Sequence, residues 1–210
     1  MSFRKLFSSS ANTGRDPDFN EEAVKIFNRL GNPQGSVGRF NACDPIWRHP
    51  TSGGTVYVGN VEAASNLGVL KQHGITHVVN CTDNMPMYHS KTGQIEYLQF
   101  DIASWSRYVR GGSESFYQFT NKMFQFVGET VSDGKHVLVH CLAGAHRAGT
   151  TGCLLLMHFA ALDAHSAVAL AKRLRPIIDP IGSLPELLKK AEEANRANPA
   201  RERFPIKHFE

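Results

Sequence analysis

The chain has 210 residues, 41% hydrophobic and 20% charged, a balance that suits a globular protein with one core and excludes fibrous and wholly disordered classes. No apolar run reaches the ~18 residues of a membrane span, and a net charge of +4 without blocks of like charge marks neither a nucleic-acid nor a membrane surface. The four cysteines, Cys43, Cys81, Cys141 and Cys153, stand far apart with no CxxC pair, so they read as free thiols of a reducing, cytoplasmic compartment.

Residues 1–15 carry Arg4, Lys5 and Arg15, several serines and no acid, a composition shared by mitochondrial transit peptides and disordered tails. Residues 16–31 predict a short helix, with Asp16 or Asp18 as its cap, Phe19, Ala23, Ile26, Phe27 and Leu30 on one face, and Gly31 at its end. Gly and Pro crowd residues 32–54, which read as a linker. The chain thus divides into a tail, helix and linker over 1–54, a folded domain over 55–195 and a C-terminal tail over 196–210.

Within the domain, strands and helices alternate. Residues 55–59 predict a strand, 61–74 a helix ended by Gly74, and 75–82 and 95–102 two β-branched or apolar strands. Residues 113–131 predict a helix whose Phe116, Phe119, Met123, Phe124, Val127 and Val131 face the core. A strand over 136–140 then leads into an apolar helix, and two more helices follow, one stopped by Pro176 and one with Ser183 as cap and Pro185 in its first turn. Such alternation implies an α/β fold: one three-layer domain with a central, mostly parallel sheet flanked by helices. His73 and His77 have the spacing of helical metal ligands, but Gly74 and the β-branched Ile75 and Thr76 set a turn between them, so no metal site is expected.

The stretch from His136 to Thr150 carries the chemistry. An apolar strand runs to His140, a tight bend follows from Cys141 through Leu142, Ala143, Gly144, Ala145 and His146 to Arg147, and a helix begins at once. A bend of this kind can turn successive backbone N–H groups inward as a nest for an anion, and the helix N-terminus adds its positive dipole end. Gly144 suits a turn that a side chain would block. Arg147 brings a planar cation that holds two oxygens of a phosphate. A cysteine facing such a field reacts as the thiolate, aimed at whatever anion the loop holds. A cysteine and an arginine six places apart are a weak signal alone. His140, Gly144, the strand before and the helix after make it specific.

The run from His140 to Arg147 resembles the phosphate-binding signature of the dual-specificity (VH1-like) branch of the cysteine-dependent protein tyrosine phosphatases. The resemblance extends from Thr55 to Leu188 and takes in Arg175-Pro176-Ile177-Ile178-Asp179-Pro180-Ile181-Gly182, similar to a late arginine-proline-glycine segment of that family. It implies a phosphatase-like fold and hydrolysis of phosphate monoesters through a phosphocysteine, with Cys141 as nucleophile and no metal or organic cofactor. It also implies an acid on the loop after a central strand. Asp101, 141 − 101 = 40 residues before the cysteine, matches that place, and Asp83 competes with it.

One position departs from the family. A serine or threonine usually follows the arginine, whereas this chain has Ala148, so either Thr150 supplies the hydroxyl or the intermediate breaks down more slowly. Glucan phosphatases of the same branch share the alanine. The ends of neighbouring parallel strands place Cys81 near Cys141, and the resemblance implies a protective disulfide between them; a structural buried thiol is the alternative. The arginine- and glycine-containing segment 106–113 is a candidate substrate loop.

The expected substrate is a protein bearing phosphotyrosine and phosphoserine or phosphothreonine. Glucan and phosphoinositide phosphatases remain alternatives, as do a phospho-binding pseudophosphatase and a rhodanese-like sulfurtransferase.

Overall fold

In the computed structural model, which describes residues 16–30 and 41–198, the β-branched and apolar segments become β1 (Cys43–Arg48), β2 (Thr55–Gly59), β3 (Ile75–Asn80), β4 (Glu96–Gln99) and β5 (His136–His140). They form a single sheet in the order β1-β2-β5-β3-β4. β2, β5, β3 and β4 run parallel, and β1 is antiparallel to β2 at one edge. Val137, Leu138 and Val139 of the central β5 are fully buried, as expected of a parallel strand covered on both faces.

The helices are α1 (Phe19–Leu30), α2 (Val61–Ser65), α3 (Leu67–Gln72), α4 (Trp105–Tyr108), α5 (Ser113–Ser132), α6 (Arg147–Phe159), α7 (Ala164–Leu174) and α8 (Leu184–Ala197). Alternate strand residues divide between two cores. Val137 and Val139 join Val56, Val58 and Val79 against α5 to α8, while Leu138 joins Val78 and Ile75 against α2 and α3. The result is the expected three-layer α/β arrangement. Phe116, Met123, Phe124, Val127 and Val131 of α5 are buried as their spacing requires.

Three segments differ from their sequence patterns. The linker expected over 32–54 contains β1, whose Ile46 and Trp47 are buried. Its Pro45 is tolerated because the strand is an edge with a register shift between Pro45 and Trp47. The single helix expected over 61–74 breaks at Asn66, whose side-chain carbonyl accepts from the amides of Gly68 (2.9 Å) and Val69 (3.3 Å) and starts α3 anew. The strand expected over 95–102 stops at Gln99, and a single 3-10 turn, Ile102–Ser104, follows Asp101.

Asp18 caps α1, accepting from Asn20 N–H at 2.8 Å. His73 follows α3 and His77 lies within β3. Among the described residues no group of three or more potential ligands could hold a metal ion, and no helix is long and apolar enough to cross a membrane. The basic start, Gly31 and residues 199–210 lie outside the described residues.

Candidate active site

At the C-terminal edge of the parallel strands, β5 ends at His140 and α6 begins at Arg147. The bend between them is held by its carbonyls. His140 O accepts from Cys81 N–H at 2.9 Å, Leu142 O from Val61 N–H at 3.0 Å, and Ala145 O from Asp179 N–H at 3.2 Å. His146 O accepts from Thr150 N–H at 2.8 Å and from the Thr150 hydroxyl at 2.7 Å. Arg175, 1% exposed, supplies the remaining ties: its Nε donates to Gly144 O at 3.0 Å and its Nη2 to Ala143 O at 3.3 Å. Carbonyls fixed in this way leave the amides of the bend to line its inside, as an anion nest requires.

Gly144 is essential to the closure. Its φ is +66°, and a Cβ there would stand 2.4 Å from Gly59 O.

Cys141 stands at the head of this nest, 3% exposed, and Arg147 at the far end, 4% exposed. Two residues of α1 meet the arginine: Nη2 donates to Asn20 Oδ1 at 2.6 Å, and the guanidinium lies 5.6 Å from the centroid of the Phe19 ring. His140 is fully buried, and burial, opposed by the Cys141 backbone and reinforced by Arg147, pushes its pKa down to about 4. It is therefore neutral at pH 7. His146 donates from Nδ1 to Asp179 O at 2.6 Å, which sets its tautomer, and burial lowers its pKa despite that bond.

Arg175 is itself anchored by β1 and the residues just before it, through Nη1 to the Asp44 carboxylate at 2.5 Å and to Asn41 O at 3.0 Å. Burial lowers its pKa while the Asp44 carboxylate raises it. Asp179 pairs with Lys172 at 2.8 Å, so an aspartate behind the loop is accommodated by a local cation.

Asp101 is half-buried at the turn after β4 and lines a cleft of about 320 Å³ together with Asp83, Phe19, Ser104, Ser106 and Arg107. Both candidate acids therefore face the same cleft. Asp83 is exposed, whereas Asp101 also acts electrostatically on Cys81, a neighbour of Cys141. Arg107 belongs to α4, so the expected substrate loop is in part helical and does reach the cleft.

Cys81 is fully buried, donates to Thr151 Oγ1 at 3.3 Å, and is held well above the usual thiol range, chiefly by burial, with Cys141 adding to the rise. Thr150 does not replace the hydroxyl missing at Ala148, because its own proton is committed to the His146 carbonyl.

Sequence reasoning missed the roles of Arg175, Asp44, Phe19 and Asn20. A signal existed only for Arg175, which opens the Arg-Pro segment after α7. Asp44 lies in a stretch whose composition reads as linker, and spacing places Phe19 only on a helix face.

A cysteine and an arginine at the two ends of such a bend are the arrangement expected of a cysteine-dependent phosphatase, and the cleft that Asp83 and Asp101 line is bordered by Phe19, which meets Arg147. The catalytic-domain family of dual specificity phosphatases matches residues 56–194. Dual specificity protein phosphatase 9 of Homo sapiens is 32% identical over 126 residues, covering 60% of this chain and 31% of that protein. Dual specificity protein phosphatase Mpk3 of Drosophila melanogaster is 32% identical over 127 residues, covering 60% and 29%. The chain therefore aligns with about a third of these curated relatives' length. The crystal structure of a leucine rich repeat and phosphatase domain containing protein from Entamoeba histolytica superposes with a TM-score of 0.57 at 18% identity, covering 74% of this chain and 94% of that one, and shows the same fold. This chain belongs to the dual specificity phosphatase family.

Proposed function

We propose that the protein hydrolyses phosphate monoesters on proteins, at phosphotyrosine and phosphoserine or phosphothreonine, through a covalent phosphocysteine. The observation that carries the reading is the bend from Cys141 to Arg147, whose Leu142, Ala143, Gly144, Ala145 and His146 carbonyls are each tied by a hydrogen bond, with a thiol at one end and a guanidinium at the other. The Cys141 thiolate attacks phosphorus, the S–P bond forms, and the P–O bond to the leaving group breaks. Asp101 donates its proton to the departing oxygen. Asp101, now a carboxylate, then takes a proton from water as that water attacks phosphorus, and the S–P bond breaks to release inorganic phosphate. The inward amides and Arg147 carry the charge that builds on the equatorial oxygens, so the chemistry calls for no metal or organic cofactor.

The protein substrate is favoured over a polyphosphorylated lipid by the charge of the cleft. Besides the protonated Asp101, the described residues that line it include Asp16 and Asp83 against the single cation Arg107, and the bend itself holds no lysine. Such a wall repels a second phosphate and admits a peptide.

The test is steady-state hydrolysis of para-nitrophenyl phosphate, with EDTA present, by the wild type, Cys141→Ser and Asp101→Ala. Complete loss in the first variant and a fall of about 10² or more in the second are expected. An inactive, fully reduced wild type would leave a phospho-binding module in place of the enzyme.

A further inference from the structure

The residues that meet Arg147 lie outside the span matched by the family, which begins at residue 56. Asp16 fastens this segment at one end. Its carboxylate accepts from Ser183 N–H at 2.6 Å and from the Ser183 hydroxyl at 2.8 Å, at the N-terminus of α8, where a negative charge meets the positive end of the helix. Ser183 Oγ in turn accepts from Trp105 Nε1 at 2.9 Å, which ties the same point to the turn after Asp101. At the other end Ala23, 2% exposed, packs on Ala143 and Ala145 of the phosphate loop. Between the two anchors, Phe19 and Asn20 reach the guanidinium.

We propose that Phe19 and Asn20 are positioning residues for the phosphate clamp, and that α1 is thereby part of the substrate site. This rests on the phosphatase reading above. An arginine side chain is long, and holding it in one rotamer costs entropy that would otherwise fall on phosphate binding. Phe19 fixes the plane of the guanidinium from one face, and Asn20 fixes its rotation through Nη2. The acceptor is a neutral amide, so it satisfies one N–H without cancelling the positive charge that the phosphate needs. Arg147 Nε, buried with no hydrogen-bond partner among the described residues, is left for a phosphate oxygen.

The experiment uses the full chain and the variants Asn20→Ala and Phe19→Leu. Three quantities are read: kcat and KM for para-nitrophenyl phosphate, the inhibition constant of inorganic phosphate, and the ratio of Cys141 inactivation rates by iodoacetate and iodoacetamide. The charged reagent is drawn in by the ordered arginine and the neutral one is not.

Losing the order of one long side chain raises KM and the phosphate inhibition constant together by about three- to tenfold, with kcat nearly unchanged, because ground state and transition state lose the same contact. The alkylation ratio falls by a similar factor. A merely structural role would lower the melting temperature and leave that ratio alone. Unchanged constants and an unchanged ratio in both variants would overturn the proposal. So would a rise in kcat/KM, which would make α1 an obstruction to the site. The alkylation ratio needs no turnover, so it judges Phe19 and Asn20 even if the wild type hydrolyses nothing and the phosphatase reading fails on its own.

Discussion

Replacing Gly144 by alanine tests whether the phosphate nest depends on its close approach to β2. At φ +66° an alanine carries a left-handed penalty of ~1–2 kcal/mol. Its Cβ would also stand 2.4 Å from Gly59 O, 2.5 Å from Gly59 C and 2.9 Å from Arg175 Nη2. Restoring ordinary contact moves the bend by about 1 Å, and overpacking of this kind adds ~1–3 kcal/mol. The sum is a loss of about 2–5 kcal/mol in urea unfolding, read as a lower midpoint at constant slope. A displacement of that size at the reacting centre lowers kcat/KM for para-nitrophenyl phosphate by about 10²-fold. Gly128→Ala within α5 is the control, because a Cβ there meets only the Phe159 ring at an ordinary 3.5 Å, and it leaves kcat/KM nearly unchanged without lowering stability. A Gly144→Ala protein with the stability and kcat/KM of the wild type would refute the reasoning.

Other changes have equally definite outcomes. Asp44→Ala strips the buried Arg175 of its carboxylate and costs about 2–4 kcal/mol in urea unfolding, somewhat below a fully buried pair because Asp44 is partly exposed; a loss under about 0.5 kcal/mol would remove Asp44 from the support of the loop. His140 has a folded pKa of about 4, down from 6.5, so between those values the unfolded chain binds a proton that the folded chain refuses. Stability is then flat above pH 6.5 and falls by about 3 kcal/mol as pH drops toward 4, and a His140→Gln variant shows a shallower acid limb in pH-dependent unfolding. Peroxide oxidises the Cys141 thiolate to a sulfenic acid, which the Cys81 thiol attacks with loss of water; mass spectrometry after treatment shows an 81–141 crosslink that reductant reverses, and its absence would leave Cys81 a structural thiol.

What was legible in the sequence is what lies close together in the chain. The nest reads directly because strand, bend, arginine and helix are contiguous from His136 to Phe159, and each of their signals is local. The buried faces of α5 and β5 read from periodicity alone. The supports of the nest do not, because they come from far away: Arg175 meets Asp44 across 131 positions and Arg147 meets Asn20 across 127. β1 was hidden for a different reason. An edge strand with a proline at a register shift looks like a loop, and its assignment depends on Ile46 and Trp47 finding cover. The break at Asn66 came from the opposite error, since an apolar spacing that fits one helix does not reveal a side chain that caps a new one.

The ties on the bend come from both sides of the sheet. Val61 reaches Leu142 from the layer of α2 and α3, whereas Arg175 and Asp179 reach Ala143, Gly144 and Ala145 from the end of α7. The nest is thus a joint between the two helical layers. An oxyanion seated in it braces that joint, and by mass action it raises the resistance of the whole fold to unfolding by about 2.7 kcal/mol at a hundred times its dissociation constant. Holding phosphate and holding the molecule together are, at this loop, one mechanical act.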